Sequence, residues 1–448
     1  KEFVVNPPDV QMMHLLADFK EAIRETRFVR EYYPELLSVE EPEDLLRVKI
    51  TREYPDEAYF KPFKKYILNY SYTSGTTLGK PKKVFYPLTK RSLEVLLKTA
   101  AAIDAICLLD SHKTLFDRAL AVVESGLISH SFAFVIRLMS KKADILVRGK
   151  VDVEKFLRKT KARYDMIFGE LPTGICILEM LKKYRDKLDK KVLFMTGGGV
   201  FAPEYLDIVN EVMDVTGVDF KVLNIYASTE GHLAGLGIHI DKSNPYFTEP
   251  PMVKPVYFSS FHLGAELPAE SFKIPEYPKN FIHKMPPGEE FSVVVTLASA
   301  FAIPNYFLGD IAVLHNGSVR ILGRYLRKVT GLPVATEAYT SPVIRVSGVV
   351  IKQSLSRIIQ QLLQTENFIV LVSPGRHGAI MNIYVEDPKC SFVDAEKKFL
   401  ELVKKDPENS YIAVDIKDGV LSIAFRKISG ISSFYKATNE KYKIFISK

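Results

Sequence analysis

Tyr72-Thr73-Ser74-Gly75-Thr76-Thr77-Leu78-Gly79-Lys80-Pro81-Lys82 follows an apolar, strand-like segment and is dense in Gly, Ser and Thr. Hydroxyls and backbone N–H groups in such a loop can wrap phosphate oxygens. Gly75 and Gly79 let the backbone approach closely, and Lys80 or Lys82 adds positive charge. A Walker loop is excluded. That motif has four residues between its glycines, followed by Lys and Ser or Thr. Here three residues separate Gly75 from Gly79, and Pro81 follows Lys80, where it stops the helix a Walker loop must start.

Outward from this loop, strand-like and helix-like segments alternate. Asp144–Val147, Tyr164–Phe168, Val192–Met195 and Lys221–Tyr226 read as strands. Helices are expected from Asp9 (as N-cap, with Val10, Met13, Leu16, Phe19 and Ile23 inward), over Arg91–Leu109, and over Val153–Lys161, Leu171–Tyr184 and Pro203–Val215. This alternation predicts an α/β fold: a large N-terminal mixed α/β domain with parallel sheets. The pattern changes near Pro245, where prolines and aromatics become frequent, and Phe291–Leu297 and Ile311–Leu314 read as more antiparallel strands. After Gly323-Arg324 comes a small α+β unit, with strands expected at Val343–Val350, Phe368–Val372, Met381–Val385, Tyr411–Ile416 and Leu421–Phe425 around helices at Lys352–Leu363 and Phe392–Lys404. The expected domains are 1–323 and 324–448.

The 448 residues are 47% hydrophobic and 25% charged, a globular composition. Lys and Arg exceed Asp and Glu by 61 to 53, a net +8. Over this length that excess is too mild to argue for nucleic acid and suits small anionic substrates. Cys107, Cys176 and Cys390 lie far apart without metal-type spacing, which fits a reducing compartment. The start, Lys1 to Val10, lacks a signal-peptide core. The apolar stretch Gly126–Met139 is interrupted by His130 and Arg137 and is too short to span a membrane. A cytoplasmic protein without membrane or nucleic-acid partners is expected.

Further motifs follow in order: Leu193-Phe-Met-Thr-Gly197-Gly198-Gly199, Tyr226-Ala227-Ser228-Thr229-Glu230, Pro287-Gly-Glu-Glu290 with Val293-Val-Val-Thr296, Tyr306-Phe-Leu-Gly-Asp310, and Leu322-Gly-Arg324. Together with the Thr73–Lys82 loop they resemble the adenylate-forming superfamily, which includes acyl-CoA synthetases. The resemblance spans nearly the whole chain and is nearest to phenylacetate-CoA ligase-like synthetases. The extra Leu78 makes the phosphate loop more similar to that of the auxin-conjugating acyl-acid amido synthetases.

The resemblance implies ATP-dependent conversion of a small carboxylic acid to an acyl-adenylate with release of pyrophosphate. Transfer to the thiol of CoA follows, or, as the alternative, to an amine or amino acid. A second alternative is a non-catalytic nucleotide-binding protein. Adenylation needs charge offset on both sides of the α-phosphate, by Mg2+ and by cationic or N–H donors. Lys80, with the loop residues Thr73, Ser74, Gly75, Thr76, Thr77 and Gly79, is expected at the phosphates. Glu230 and Thr77 are the expected Mg2+ ligands. Tyr226 offers a flat face to adenine, with Ala227, Ser228 and Thr229 alongside, and Thr229 can donate to phosphate. Asp310 can accept both ribose hydroxyls, and Arg324 can pair with ribose or phosphate. Gly197, Gly198 and Gly199 sit where a strand ends, the usual ligand position in α/β sheets. Phe132, Phe134, Phe168 and His232 are the expected lining of the acid pocket.

Some positions depart from the family pattern. Leu326 stands where many members have an acidic hinge residue, which moves the expected pivot towards Gly331 or Pro333. The final catalytic lysine is read as Lys441, with Lys436 as the other candidate. His239 lies where some relatives hold zinc with cysteines, but no cysteine is nearby, so no zinc is expected.

Overall fold

The computed structural model describes residues 7–25, 31, 33–51, 67–72, 83–87, 90, 93–95, 97–101, 103, 116–123, 133, 135–147, 151–171, 173–198, 201, 203–228, 232–239, 251–267, 274–298, 302–324, 327–329, 336–338, 343–345, 349–365, 367–375, 378–406, 409–431 and 444–446. Two strands, β1 (Ile67–Tyr72) and β2 (Lys83–Pro87), form an antiparallel hairpin.

A twelve-stranded sheet dominates the large part. Five of its strands are mutually parallel: β3 (Phe116–Val123), β4 (Ser140–Val147), β5 (Tyr164–Gly169), β6 (Leu188–Gly197) and β7 (Asp219–Ser228), in the order β4-β3-β5-β6-β7. Beyond β7 the sheet turns antiparallel. It continues through β8 (His232–His239), β9 (Met252–Pro255), β14 (Ser318–Arg324), β13 (Ala302–His315), β12 (Glu290–Ala298), β10 (Ser260–Ala265) and β11 (Asn280–Phe281). β3 carries no strand expectation from the sequence, yet it lies between β4 and β5.

The inner parallel strands β3, β5, β6 and β7 are largely apolar on both faces because both are covered. Helices α3 (Thr173–Lys183) and α4 (Pro203–Thr216) cover one face, where Ile175, Leu178, Val209 and Val212 meet Ile167, Phe194 and Val222. On the other face Met166, Phe168, Leu193, Met195, Leu223 and Ile225 meet Ile103, Val135 and Ile136. Each such side chain contributes about 1.5–3 kcal/mol on burial. The short α2 (Val153–Lys159) starts where expected and ends two residues early; its N-cap is Asp152, whose side chain accepts from the Lys155 N–H.

Helix α1 (Pro8–Glu25) lies against the antiparallel half through Met12, Leu15, Leu16, Phe19, Ala22 and Ile23. Two expectations fail here. The helix starts at Pro8, so Asp9 lies in its first turn rather than at its cap, and its carboxylate pairs with Lys284 at 3.2 Å. Val10 and Met13 are 42% and 57% exposed. At about 100° per residue they stand roughly 180° and 120° from the centre of the buried stripe.

The C-terminal part is a smaller β-containing domain. Its six-stranded sheet runs β15 (Arg327–Val329), β16 (Thr336–Ala338), β22 (Ile444–Ile446), β19 (Phe368–Gly375), β20 (Gly378–Val385) and β21 (Leu421–Lys427). The strand expected over Val343–Val350 is a hairpin of β17 (Val343–Arg345) and β18 (Val349–Ile351). Helices α5 (Lys352–Leu363) and α6 (Phe392–Lys405) flank the sheet. Tyr411–Ile416, expected as a strand, is helix α7 (Tyr411–Lys417). Ile412, Val414 and Ile416 alternate with other residues and so imitate a strand period. The helix instead turns Ile412, Ala413 and Ile416 onto the domain core.

Candidate active site

The strands β6 and β7 end side by side, with Thr196 opposite Asn224 and Gly197 opposite Ile225. Gly197 has no room for a side chain, since a Cβ there would lie 2.8 Å from the Ile225 carbonyl oxygen. Gly198 then turns the chain with φ +79. The Gly197 carbonyl accepts the Leu171 N–H at 3.0 Å, which joins the β5–α3 connection to this turn. Two polar atoms are buried here without a partner among the described residues: Thr196 Oγ1 and Asn224 Oδ1. Desolvating a polar group without a partner is costly, so such atoms call for a ligand or a water. The pair was not anticipated from sequence. The available signal was Asn224 interrupting the apolar run Val222-Leu223-Asn224-Ile225.

Tyr226 lies one alternate position beyond Asn224, on the same face of β7. Its phenol donates to Asp310 Oδ2 at 2.7 Å. In the sheet β7 and β13 are separated by β8, β9 and β14. On a flat sheet four strand spacings would hold them about 19 Å apart. The antiparallel half must therefore curl, bringing Asp310 over the end of the parallel strands. Apolar side chains of β9, β12, β13 and β14 fill the inside of the curl, and Tyr226 packs against them. Asp310 is 7% exposed and follows Gly309, whose φ of +79 suits only glycine. Across the β13–β14 ladder Arg324 stands directly opposite Asp310.

The structure thus brings Gly197, Gly198, Tyr226, Asp310 and the Arg324 backbone to one region. Ala227 follows Tyr226 on β7, and Ser228 pairs with His232 at the start of β8. Thr229 and Glu230, in the connection between those strands, lie outside the described residues, as do Gly199, Phe132, Phe134, Lys436, Lys441 and Leu326. So do Thr73, Ser74, Gly75, Thr76, Thr77, Gly79 and Lys80. Tyr72 and Lys83, which bracket that loop, are register partners in the β1–β2 hairpin. Phe168 is fully buried within the apolar layer on the far face of the parallel strands, beside Met195 and Ile225. Among the described residues no group of His, Cys, Asp and Glu is arranged to hold a metal ion. No helix among them is long and apolar enough to cross a membrane.

This architecture is the fold of adenylate-forming enzymes. The chain superposes on 2-hydroxyisobutyryl-CoA ligase, solved with 2-HIB-AMP and CoA in the thioesterification state, with TM-score 0.57 and 14% identity, covering 99% of this chain and 91% of that one. The amide bond synthetase McbA from Marinactinospora thermotolerans gives TM-score 0.48 and 12% identity over 82% of this chain and 66% of that one. A malonyl-CoA ligase with methylmalonyl-CoA and AMP bound gives TM-score 0.45 and 15% identity over 81% of this chain and 70% of that one. No protein-family model matches the sequence. No curated protein matches it either.

Proposed function

We propose that the chain is an AMP-forming ligase that activates a small carboxylic acid with ATP and passes the acyl group to CoA. A carboxylate oxygen attacks the α-phosphorus of ATP, and the bond to the bridging oxygen breaks as pyrophosphate leaves. The CoA sulfur then attacks the acyl carbonyl, and AMP leaves. The Tyr226–Asp310 hydrogen bond carries this reading. It places a ring face and a carboxylate acceptor together beside the Gly197-Gly198 turn, as an adenine and a ribose require. Thr196 Oγ1 and Asn224 Oδ1, buried without partners among the described residues, suit the polar edge of a base. In this reading Lys80 and the Thr76 and Thr77 hydroxyls hold the β- and γ-phosphates. Glu230 and Thr77 hold Mg2+, whose charge offsets that of the phosphates. Phe132, Phe134 and His232 shape the acid site. Residues 1–323 form the large domain and residues 324–448 a lid that alternates between two poses, and the reaction runs in the cytoplasm.

A second acceptor is favoured by one feature, the extra Leu78 in the phosphate loop, which points to an amine. Pyrophosphate exchange with a panel of carboxylic acids tests the first half-reaction. Exchange that depends on one class of acid supports the reading; none with any acid, despite ATP binding, leaves a nucleotide-binding protein. Product formation with CoA against a set of amines and amino acids then decides the acceptor.

A further inference from the structure

Cys176 sits in α3, on the side turned away from the large sheet. Gly174, Ile175, Ile177, Leu178 and Leu181 of the same helix face the sheet: a Cβ on Gly174 would touch the Phe194 ring, and the other four belong to the core between helix and sheet. At about 100° per residue, Cys176 lies roughly 180° from the centre of that face. A helix lying on a sheet ordinarily leaves that side in water. Here Cys176 is 6% exposed, and Thr173 to Leu178 are all buried.

The cover comes from the C-terminal domain. The Cys176 thiol donates to the Asp418 carbonyl at 3.3 Å, where α7 ends and Gly419 turns the chain with φ +74. Beside it, β20 adjoins α3 and β19 adjoins α4. The C-terminal sheet explains why it can seat there. Phe368, Val370, Val372, Met381, Ile383 and Val385 point to the domain's own helices. The alternate residues on the other face, Ile369 opposite Tyr384 and Leu371 opposite Asn382, are buried as well, with Ile369, Leu371 and Tyr384 only 1%, 1% and 5% exposed. They lie outside the domain's helix-side core.

We propose that this second face of the C-terminal sheet is a docking latch, seated on α3 and α4 with Cys176 beneath the Asp418 turn, and that lid movement requires its release. The role in turnover rests on the reading above, but the latch itself does not. Thiol labelling needs neither ATP nor acid, so failure of the latch and failure of the enzymatic reading are separable. The test measures N-ethylmaleimide labelling of Cys176 and Cys390 in the full chain by peptide mass spectrometry. Cys390 lies against the C-terminal domain's own core and reports whether that domain stays folded. In the unmodified chain Cys176 is expected to label at least tenfold more slowly than Cys390. Tyr384→Ala, or the milder Leu371→Ala, should raise the Cys176 rate at least tenfold and leave the Cys390 rate unchanged. Comparable rates for the two thiols in the unmodified chain overturn the latch. So does a Cys176 rate that moves in neither variant, or that rises only in step with Cys390 in both.

Discussion

The Tyr226 phenol and the Asp310 carboxylate are 84 residues apart in sequence and meet at 2.7 Å. Because β7 and β13 are not neighbours in the sheet, this bond closes the curl of the antiparallel half over the ends of the parallel strands. It also fixes the orientation of the carboxylate, since Asp310 Oδ2 accepts the Tyr226 phenol.

Tyr226→Phe removes the hydroxyl and keeps the ring. The net loss of one such hydrogen bond to a charged group is about 1.5–3 kcal/mol. ATP affinity measured by calorimetry is expected to fall roughly tenfold to a hundredfold. Asp310→Ala should weaken ATP at least as much, since the ribose loses its acceptor. In the double variant the losses should be less than additive, because each single change already removes the shared bond. Full additivity, or unchanged affinity in Asp310→Ala, would show that the pair does not act on nucleotide.

Gly197→Ala places a Cβ against the Ile225 carbonyl, and backbone cannot swing aside as a side chain can. Overpacking of this kind costs about 1–3 kcal/mol. The expected outcome is a lower urea midpoint together with weaker ATP binding. Gly217→Ala is the control: its φ of +67 is also unfavourable for alanine, but it sits in the turn after α4 with nothing within 4 Å of the added carbon. It should lower the midpoint without changing ATP affinity. If ATP binding in Gly197→Ala is intact once the protein is folded, the turn is structural only.

The alternation of strands and helices made the parallel half legible, because those strands are buried on both faces and carry continuous apolar runs. The ends of β6 and β7 were legible for another reason: glycines and polar residues interrupt the apolar pattern there. The closure of Tyr226 onto Asp310 was not readable, since it depends on sheet curl set by strands between them. Helix α7 was misread because Ile412, Val414 and Ile416 fit a period of two, and only the surrounding packing decides for the helix. Thr196 and Asn224 were missed because one hydroxyl or amide in an apolar strand has no meaning until its neighbours prove unable to satisfy it.

His262 gives a pH prediction. Its Nε2–H donates to the Val256 carbonyl at 2.9 Å, so Nδ1 is the bare acceptor, buried without a partner among the described residues. Complete burial pulls its pKa from 6.5 down to about 4, with the Val256 contact opposing weakly. In this range the unfolded chain binds the proton and the folded chain does not. Stability is therefore complete above pH 6.5 and falls as the pH drops towards 4, by about 3 kcal/mol from this residue. Burial lowers the His283 pKa as well, with nearby Asp9 opposing, so His283 acts in the same direction. Urea midpoints at pH 7 and pH 4.5 should differ, and His262→Phe should flatten the difference. An equally steep profile in that variant would place the titration elsewhere.

The last prediction concerns Lys441. It lies three residues before β22, whose Ile444 pairs in parallel with Val370 of β19. That pairing puts β22 at the centre of the C-terminal sheet, and in the proposed reading Lys441 travels with the lid. In the proposed first pose its ammonium group offsets charge between the incoming carboxylate and the α-phosphate. In the second pose, for transfer, it has moved away. A group used in only one transition state affects only that half-reaction. Lys441→Ala is therefore expected to slow pyrophosphate exchange by two to three decades, about 2.7–4 kcal/mol for one charge-stabilising donor. Transfer from supplied acyl-adenylate to CoA should stay within about twofold, a change worth well under 1 kcal/mol. Lys80→Ala gives the contrast, since the proposed reading puts it on the phosphates that leave: it too should slow exchange and spare transfer, but with weaker ATP binding that Lys441→Ala does not produce. A parallel fall of both half-reactions in Lys441→Ala would make that lysine structural. An unchanged exchange rate would move the role to Lys436, tested by the same pair of assays.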